Sequence, residues 1–326
     1  MPVGWRYAVR RVMFAVPILL GVTLFSYLLA VSSGNYFWVV VQNATKEGIK
    51  LNPQQIQQLQ DYFHVDQPVW EGYFLWLSQV LQGNLGITIS GQSVQSTVVP
   101  WIIPTLVLEL PAIITSFVIG LYLGVYSAGR HGSRLDRVLS ASWAGVLAIP
   151  AFWLAIFLIF VFSFSLRLFP SFGFVSPFPP YIGGSPYVDM AVHYVLPFSV
   201  LVVVSTPIYA RLARAKAVDV MSEDWVHSLR LASVSSSRVL YRHVLRNSLG
   251  PLLAALSVNL ALFLAASPGI EVAFDWPGLG LGFANAALRY DQPVMMAIIL
   301  LMALIATVTM VVVDVLSAAS DPRIAM

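Results

Sequence analysis

Cysteine is absent from all 326 residues. Disulfides, thiolate metal sites and cysteine nucleophiles are therefore excluded. Charge is also scarce. Asp, Glu, Lys and Arg make up 10% of the chain and hydrophobic residues 58%, against about 25% charged in soluble domains. So little polar surface cannot cover a water-soluble globule of this size. No G-x-x-x-x-G-K-[ST] phosphate loop occurs, so the chain has no nucleotide-hydrolysing machinery of that kind. Gly278, Gly280 and Gly282 do not form a dinucleotide fingerprint, because Phe283 takes the third glycine's place and no strand precedes them. The five histidines, His64, His131, His193, His227 and His243, are scattered, and no metal site is expected. The pI near 9.2 could suggest nucleic acid. The basic residues flank apolar runs, however, and membrane topology explains them more simply.

What remains is a set of long apolar runs. A spanning helix needs about 20 mostly apolar residues. Six runs qualify, at about Val12–Ser32, Pro104–Ser127, Val138–Leu166 with a kink at Pro150, Met190–Ala210, Leu249–Ile270 and Val294–Leu316. The expected fold is all-α and polytopic, with six transmembrane helices. A cleaved signal peptide is the competing reading of the first run, but that run is long and no small-residue cleavage site follows it. With the N-terminus inside, fourteen of the eighteen Lys and Arg fall on inner segments, leaving Lys46, Lys50, Arg167 and Arg289 outside. That asymmetry places both termini in the cytoplasm.

Between the first two spans, 34–100 is polar yet rich in aromatics (Tyr62, Phe63, Trp70, Tyr73, Phe74, Trp76). We read it as a small extracytoplasmic subdomain rather than a flexible loop. Asn52 before Pro53 signals a helix start, and Ile56, Leu59 and Phe63 then share one face. Asn43-Ala44-Thr45 is a glycosylation sequon on the same side. The Pro/Gly/Ser-rich segment from Phe169 to Tyr187 reads as an outer loop without regular structure.

The inner stretch 211–248 carries seven basic residues. Ser222 is the expected N-cap of a short helix, with Glu223 and Asp224 in its first turn and Trp225, Val226, Leu229 and Ala232 at helical spacing. Ser233–Ser237 breaks it. A second helix from about Arg238 sets Val239, Leu240, Val244 and Leu245 against Arg242 and Arg246.

The run YARLARAKAVDVMSEDWVHSLRLASVSSSRVLYRHVLRNSLGP from Tyr209 to Pro251 resembles the cytoplasmic loop of ABC importer permeases, in the version of the oligopeptide/dipeptide family. EVAFDWPGL at Glu271–Leu279, the DPRI tail, LELPA around Glu109, GNLG at Gly83–Gly86 and DQPVWEGYFLWL at Asp66–Leu77 are similar to the same family, in order along nearly the whole chain. Residues 101–326 then form the permease core.

The resemblance implies a permease subunit that forms half of a pathway for peptides or oligosaccharides. It has no cofactor of its own. Two cytoplasmic subunits bind ATP-Mg and hydrolyse ATP, a binding protein delivers the substrate, and a second related permease completes the pathway. Nucleic acid is not a partner and membrane lipid is. It assigns ATPase coupling to Trp225, His227, Ser228, Leu229, Arg230, Ser233, Arg242, His243 and Arg246. Glu109, Glu271, Asp275, Trp276 and Asp314 are the candidates for the substrate pathway, with the alternatives that Glu109 and Asp314 are structural partners for an arginine or backbone of a neighbouring span and that Glu271, Asp275 and Trp276 are loop architecture. The chain departs from the family pattern at Ser233, where glycine is common, and the Glu-Ala-Ala signature is replaced by His227-Ser228-Leu229. An ion-gradient-driven secondary transporter is the rival reading, though Glu109 and Asp314 lie off the span centres.

Overall fold

The structure, a computed structural model, describes residues 5–32, 42, 45, 52–63, 67–266 and 268–320. The sequon's Asn43 and Ala44, Lys46, Lys50 and the DPRI tail lie outside them. The fold is all-α, and the β pairing seen among the described residues is an isolated bridge between Ile87 and Ser93. Helices α1 (Trp5–Ser32), α2 (Pro53–Phe63), α3 (Val69–Leu81), α4 (Val94–Ala128), α5 (Arg134–Leu147), α6 (Ala151–Leu158), α7 (Pro186–Met221), α8 (Asp224–Leu231), α9 (Leu245–Ala266), α10 (Pro268–Ala273), α11 (Leu279–Arg289) and α12 (Gln292–Ser320) follow in order.

Among the described residues, three helices, α4, α7 and α12, are each long and apolar enough to cross a membrane. The expected third span is not one kinked helix. It is α5 followed by α6 and its continuation to Ser165, with the two arms bent by 95°. Pro150 sits at the break and N-caps α6, where its ring cannot continue the preceding helix. The second arm ends in a π-helical turn at Ile159–Ser165. The first expected span lies within α1, where Val16–Leu28 is a shorter apolar stretch, and the fifth falls largely within α9. At 35 and 36 residues, α4 and α7 are about 50 Å long. They outreach a hydrocarbon core of about 30 Å, so α7 continues past the expected boundary at Ala210.

The chain divides into two compact units, one of residues 1–8, 107–276 and 309–326 and the other of 9–106 and 277–308. In the second unit, Asn52 caps α2 as its sequence signals. Its Oδ1 accepts from Gln55 N at 2.8 Å, and Gln55 Oε1 accepts from Asn52 N at 2.9 Å, a reciprocal capping box. Helix α3 packs on α1 through buried Tyr73 and Trp76, whose rings lie 5.7 and 5.6 Å from that of Tyr27. Thr23 and Tyr73 share a hydroxyl hydrogen bond at 3.0 Å. Trp70 and Phe74 face outward. The GNLG motif is a turn, with Gly83 and Gly86 both at positive φ.

In the first unit, α4 crosses α7 at two glycines. A Cβ on Gly120 would lie 2.7 Å from Tyr209 Cβ and 2.8 Å from Thr206 O, and one on Gly124 would lie 2.3 Å from Ala210 O. Ala210, Ala213 and Ala217 are fully buried on the facing helix. The pattern Gly120-x-x-x-Gly124 against a small-residue stripe is the close-approach geometry of membrane helices. The segment from Phe169 to Tyr187 is more ordered than its composition implies. Asp189, fully buried, accepts from Ser176 N at 2.5 Å, Ser176 Oγ at 2.9 Å and Ile182 N at 3.0 Å. A 3₁₀ turn forms at Ile182–Gly184.

Gly124→Leu is expected to abolish monodisperse protein in detergent, because the clash is with backbone. Gly145→Ala, in open space within α5, is expected to be neutral or to stabilise by up to ~1 kcal/mol. Fluorescence-detected size exclusion after a heat step reads both.

Candidate functional site

At one end of the first unit, two polar segments meet. The turn between α4 and α5 is organised by Asp136, which the sequence reading passed over. Its side chain is 3% exposed. Arg214 of α7 binds it bidentately, Nε to Oδ1 at 2.6 Å and Nη2 to Oδ2 at 2.8 Å. Ser127 Oγ and Gly132 N donate to the same carboxylate at 2.5 and 2.9 Å. His131 Nδ1 lies 3.1 Å from Arg214 Nη2. The Ser133 side chain caps α5 by accepting from Asp136 N. A carboxylate two residues ahead of a span and an arginine 78 positions later carry no local sequence signal that would pair them.

From this clamp α7 runs on to Met221, where the chain turns. Ser222 does not cap α8 as expected. Its Oγ donates to Asp219 O at 2.7 Å, closing α7 instead. Glu223 occupies the cap position with extended backbone and accepts a hydrogen bond from Trp225 Nε1. Helix α8 is amphipathic across its short axis. Val226 is fully buried, and Trp225 and Leu229 pack beside it on a core formed by Val239, Val244, Ala217 and Val220. His227, Ser228 and Leu231 face out, Leu231 with 74% of its surface exposed. Leu231 was not singled out from the sequence. Its apolar side chain at the end of a polar loop is the signal that could have found it.

The helix ends at Ser233, whose φ is +60°. Ser233 N donates to Arg230 O at 3.0 Å and Val234 N to Leu229 O at 3.1 Å. This is the Schellman arrangement, in which glycine is usual at the left-handed position. The departure seen in the sequence therefore falls on a backbone conformation that costs an L-residue about 1–2 kcal/mol. Val234 and Leu229, the apolar pair of the motif, pack against the same core. The chain turns back into a continuous helix, 236–266, whose stretch Val239–Val244 is π-helical. A π turn sets residues five apart on one face, so Val239 and Val244 are both buried. Arg242 and Arg246 are exposed on the other side and His243 is half-buried, as the pattern predicts.

The remaining candidates lie elsewhere. Glu109 of α4 and Asp314 of α12 are buried. Glu271 is fully buried at α10. After it Trp276 N donates to Glu271 O at 2.8 Å across Asp275, whose φ is +49°. Trp276 is fully buried, with Phe174 edge-on at 4.8 Å, so it is packing core. Of these five, Asp275 alone is exposed. Glu271, Asp275 and Trp276 form one cap, and the structure does not bring them together with Asp136 or α8 in a single polar cluster among the described residues.

Comparison with known proteins gives this arrangement a context. Residues 120–326 match the family described as binding-protein-dependent transport system inner membrane component. The chain is 30% identical to the oligopeptide transport system permease protein AppB of Bacillus subtilis strain 168 over 98% of both chains. It is also 30% identical to the di/tripeptide transport system permease protein DppB of Pseudomonas aeruginosa UCBPP-PA14, again over 98% of both. To the glutathione transport system permease protein GsiC of Shigella flexneri serotype 5b it is 31% identical, over 85% of this chain and 86% of that one.

A double-mutant cycle tests the clamp. Arg214→Met leaves a buried carboxylate without its countercharge and is expected to destabilise by roughly 2–4 kcal/mol, below the fully buried limit because Arg214 is partly exposed. Asp136→Leu combined with Arg214→Met is expected to recover at least half of that loss. Thermal unfolding in detergent measures Arg214→Met, Asp136→Leu and the double variant.

Proposed function

Because the chain belongs to the binding-protein-dependent transport system inner membrane components, we propose that it is one of two permease subunits of an ATP-driven importer for di- or oligopeptides. It lies in the cell membrane with both termini in the cytoplasm. A second, related permease completes the pathway. Two cytoplasmic subunits bind ATP-Mg, and an extracytoplasmic binding protein delivers cargo. The named relatives transport oligopeptides, di/tripeptides and glutathione, which favours a peptide over an oligosaccharide.

The observation that carries this reading is α8. Its buried face, Trp225, Val226 and Leu229, fastens it to the helix core, while His227, Ser228 and Leu231 point away from the chain. In a subunit of this family, an outward helix face that the chain itself leaves uncovered is the part of the loop open to a protein partner. We assign that face to an ATPase groove, with Arg242, His243 and Arg246 on the following helix as its flank and Ser233 holding the angle between the two. Closure of the ATPases upon ATP moves α8. The Val226–Val239–Val244 contact passes that movement to α9, and the 221–223 link passes it to α7. The spans then reorient from inward-facing to outward-facing, and hydrolysis resets them. We assign Glu109, Glu271 and Asp314 to the architecture around the pathway and Asp275, the exposed one of the four, to contact with delivered cargo.

Because the chain has no cysteine, single-cysteine variants report cleanly. Leu231→Cys and His227→Cys are expected to crosslink to an ATPase subunit, and Val312→Cys, exposed on α12, is not. Peptide uptake into proteoliposomes is expected to require ATP on the ATPase side. Uptake driven by a proton or sodium gradient without ATP would establish the rival secondary transporter. Ser233→Gly is expected to keep ATP-driven uptake within about twofold and to stabilise the loop by ~0.5–1 kcal/mol, read as slower amide exchange across 224–240.

A further inference from the structure

Between the turn after α4 and the start of the 236–266 helix lies a cleft of about 720 Å³, walled by Arg130, Arg230, Ser236, Ser237, Leu240 and Tyr241 among others. Its volume is in the ~300–1,000 Å³ range of small-molecule sites. Its chemistry is one-sided. Two guanidiniums and two serine side chains line it, together with Tyr126 and Tyr241, and no carboxylate does, and among the described residues neither arginine forms an ion pair. The Arg130 guanidinium stacks 3.9 Å over the Tyr126 ring. Stacking of this kind holds the plane by its face and leaves its edge donors open for an oxyanion.

The other wall is apolar. Leu240 and Met221 pack at its base. The Tyr241 ring lies 6.4 Å from that of Tyr122, which is 53% exposed on the span-length α4. The cationic end of the cleft thus continues into an aromatic strip on a membrane-crossing helix. A soluble anion has no use for that strip. A molecule with a phosphate at one end and acyl chains at the other fits both walls, because tyrosines sit at headgroup depth and arginine pockets between spans take anionic headgroups.

We propose that this cleft is a binding site for one anionic phospholipid, its phosphate between Arg130 and Arg230 and its acyl chains along Tyr241 and Tyr122. Arg230 belongs to α8 and Arg130 to the turn after α4, so the lipid ties the two segments together and restrains α8. The site does not depend on the partner or cargo assigned above, and its test involves neither ATP nor transport.

The full chain, with any subunits that copurify, is heated in zwitterionic detergent with phosphatidylglycerol, phosphatidylcholine or inorganic phosphate. Phosphatidylglycerol is expected to raise Tm by about 5 °C at a hundredfold excess over Kd, and the other two by less than a third of that. Arg130→Gln/Arg230→Gln is expected to lose the gain. Arg134→Gln/Arg137→Gln, which removes two exposed charges outside the cleft, is expected to keep it. Native mass spectrometry counts the phosphatidylglycerol retained by each form, so a lower starting Tm does not obscure the result. Equal gains from the two lipids, a gain that survives the cleft variant, or a gain lost in the control variant would each overturn the site. A gain reproduced by inorganic phosphate and lost in the cleft variant would show a free-phosphate site and overturn the lipid.

Discussion

The backbone contact of α4 with α7 at Gly120 and Gly124 is the constraint on which the first unit depends. Between membrane helices there is no hydrophobic gain from leaving lipid for protein, so close van der Waals packing has to hold them. Here it is as close as chemistry permits, since a Cβ on Gly124 would sit 2.3 Å from a carbonyl oxygen. That contact fixes the height at which α7 passes α4. It thereby sets where Arg214 meets Asp136 and where α7 delivers the chain to α8. The ion pair is the second fastening on the same seam. Placed beyond the apolar span, it can afford charge where the glycine crossing cannot.

Hydropathy made the spans legible and misjudged where their helices stop. The expected fourth span ends at Ala210 because Arg211 follows, yet α7 continues to Met221. Ala213 and Ala217 are buried along that extension, and charge counted residue by residue does not reveal a stripe of alanines packing on glycines. Pro150 was visible as a kink, but its 95° bend was not, because the angle depends on what α6 packs against. Spacing located both helices of 211–248, with Val239 and Val244 buried and Arg242 and Arg246 opposite, but the second is not a short helix of its own, since it runs unbroken into α9 as far as Ala266. The expected N-cap does not form. Ser222 is a good cap by type, but it was used to close the helix before it.

What the sequence hides most completely is the long-range polar pairing. Asp136 with Arg214, Asp189 with Ser176 and Ile182, and Asp291 with Ile89 N at 3.1 Å each join segments that no local sequence pattern links. In each case a buried aspartate gathers backbone or arginine donors. A single sequence shows the aspartate but not the donors, since no periodicity connects them. The Pro/Gly/Ser-rich loop illustrates the consequence. Its composition predicts irregular structure, and apart from one 3₁₀ turn that is what forms. Asp189 nevertheless holds it in one arrangement.

Among the described residues, three helices end in the same 6→1 hydrogen bond across a left-handed residue that is not glycine, whereas α3 ends in one across Gly83, with Asn84 N donating to Gln79 O. Val234 N reaches Leu229 O across Ser233, Trp276 N reaches Glu271 O across Asp275, and Asp291 N reaches Ala286 O across Tyr290. The repetition argues that Ser233 is not an isolated defect in the loop. A left-handed L-residue is tolerated where the residues around it over-determine the turn. In two of the three cases the over-determining contact is visible as an apolar residue after the turn. Val234 packs with Leu229 on the α8 core, and Trp276 is buried against Phe174. Fully burying a large apolar side chain contributes about 1.5–3 kcal/mol, so the buried Trp276 can offset a strain of about 1–2 kcal/mol, and the half-buried Val234 offsets a good part of it. The geometry of α8 is therefore set by what packs on either side of Ser233 rather than by the freedom of the residue itself, and the loss of the usual glycine leaves the elbow intact.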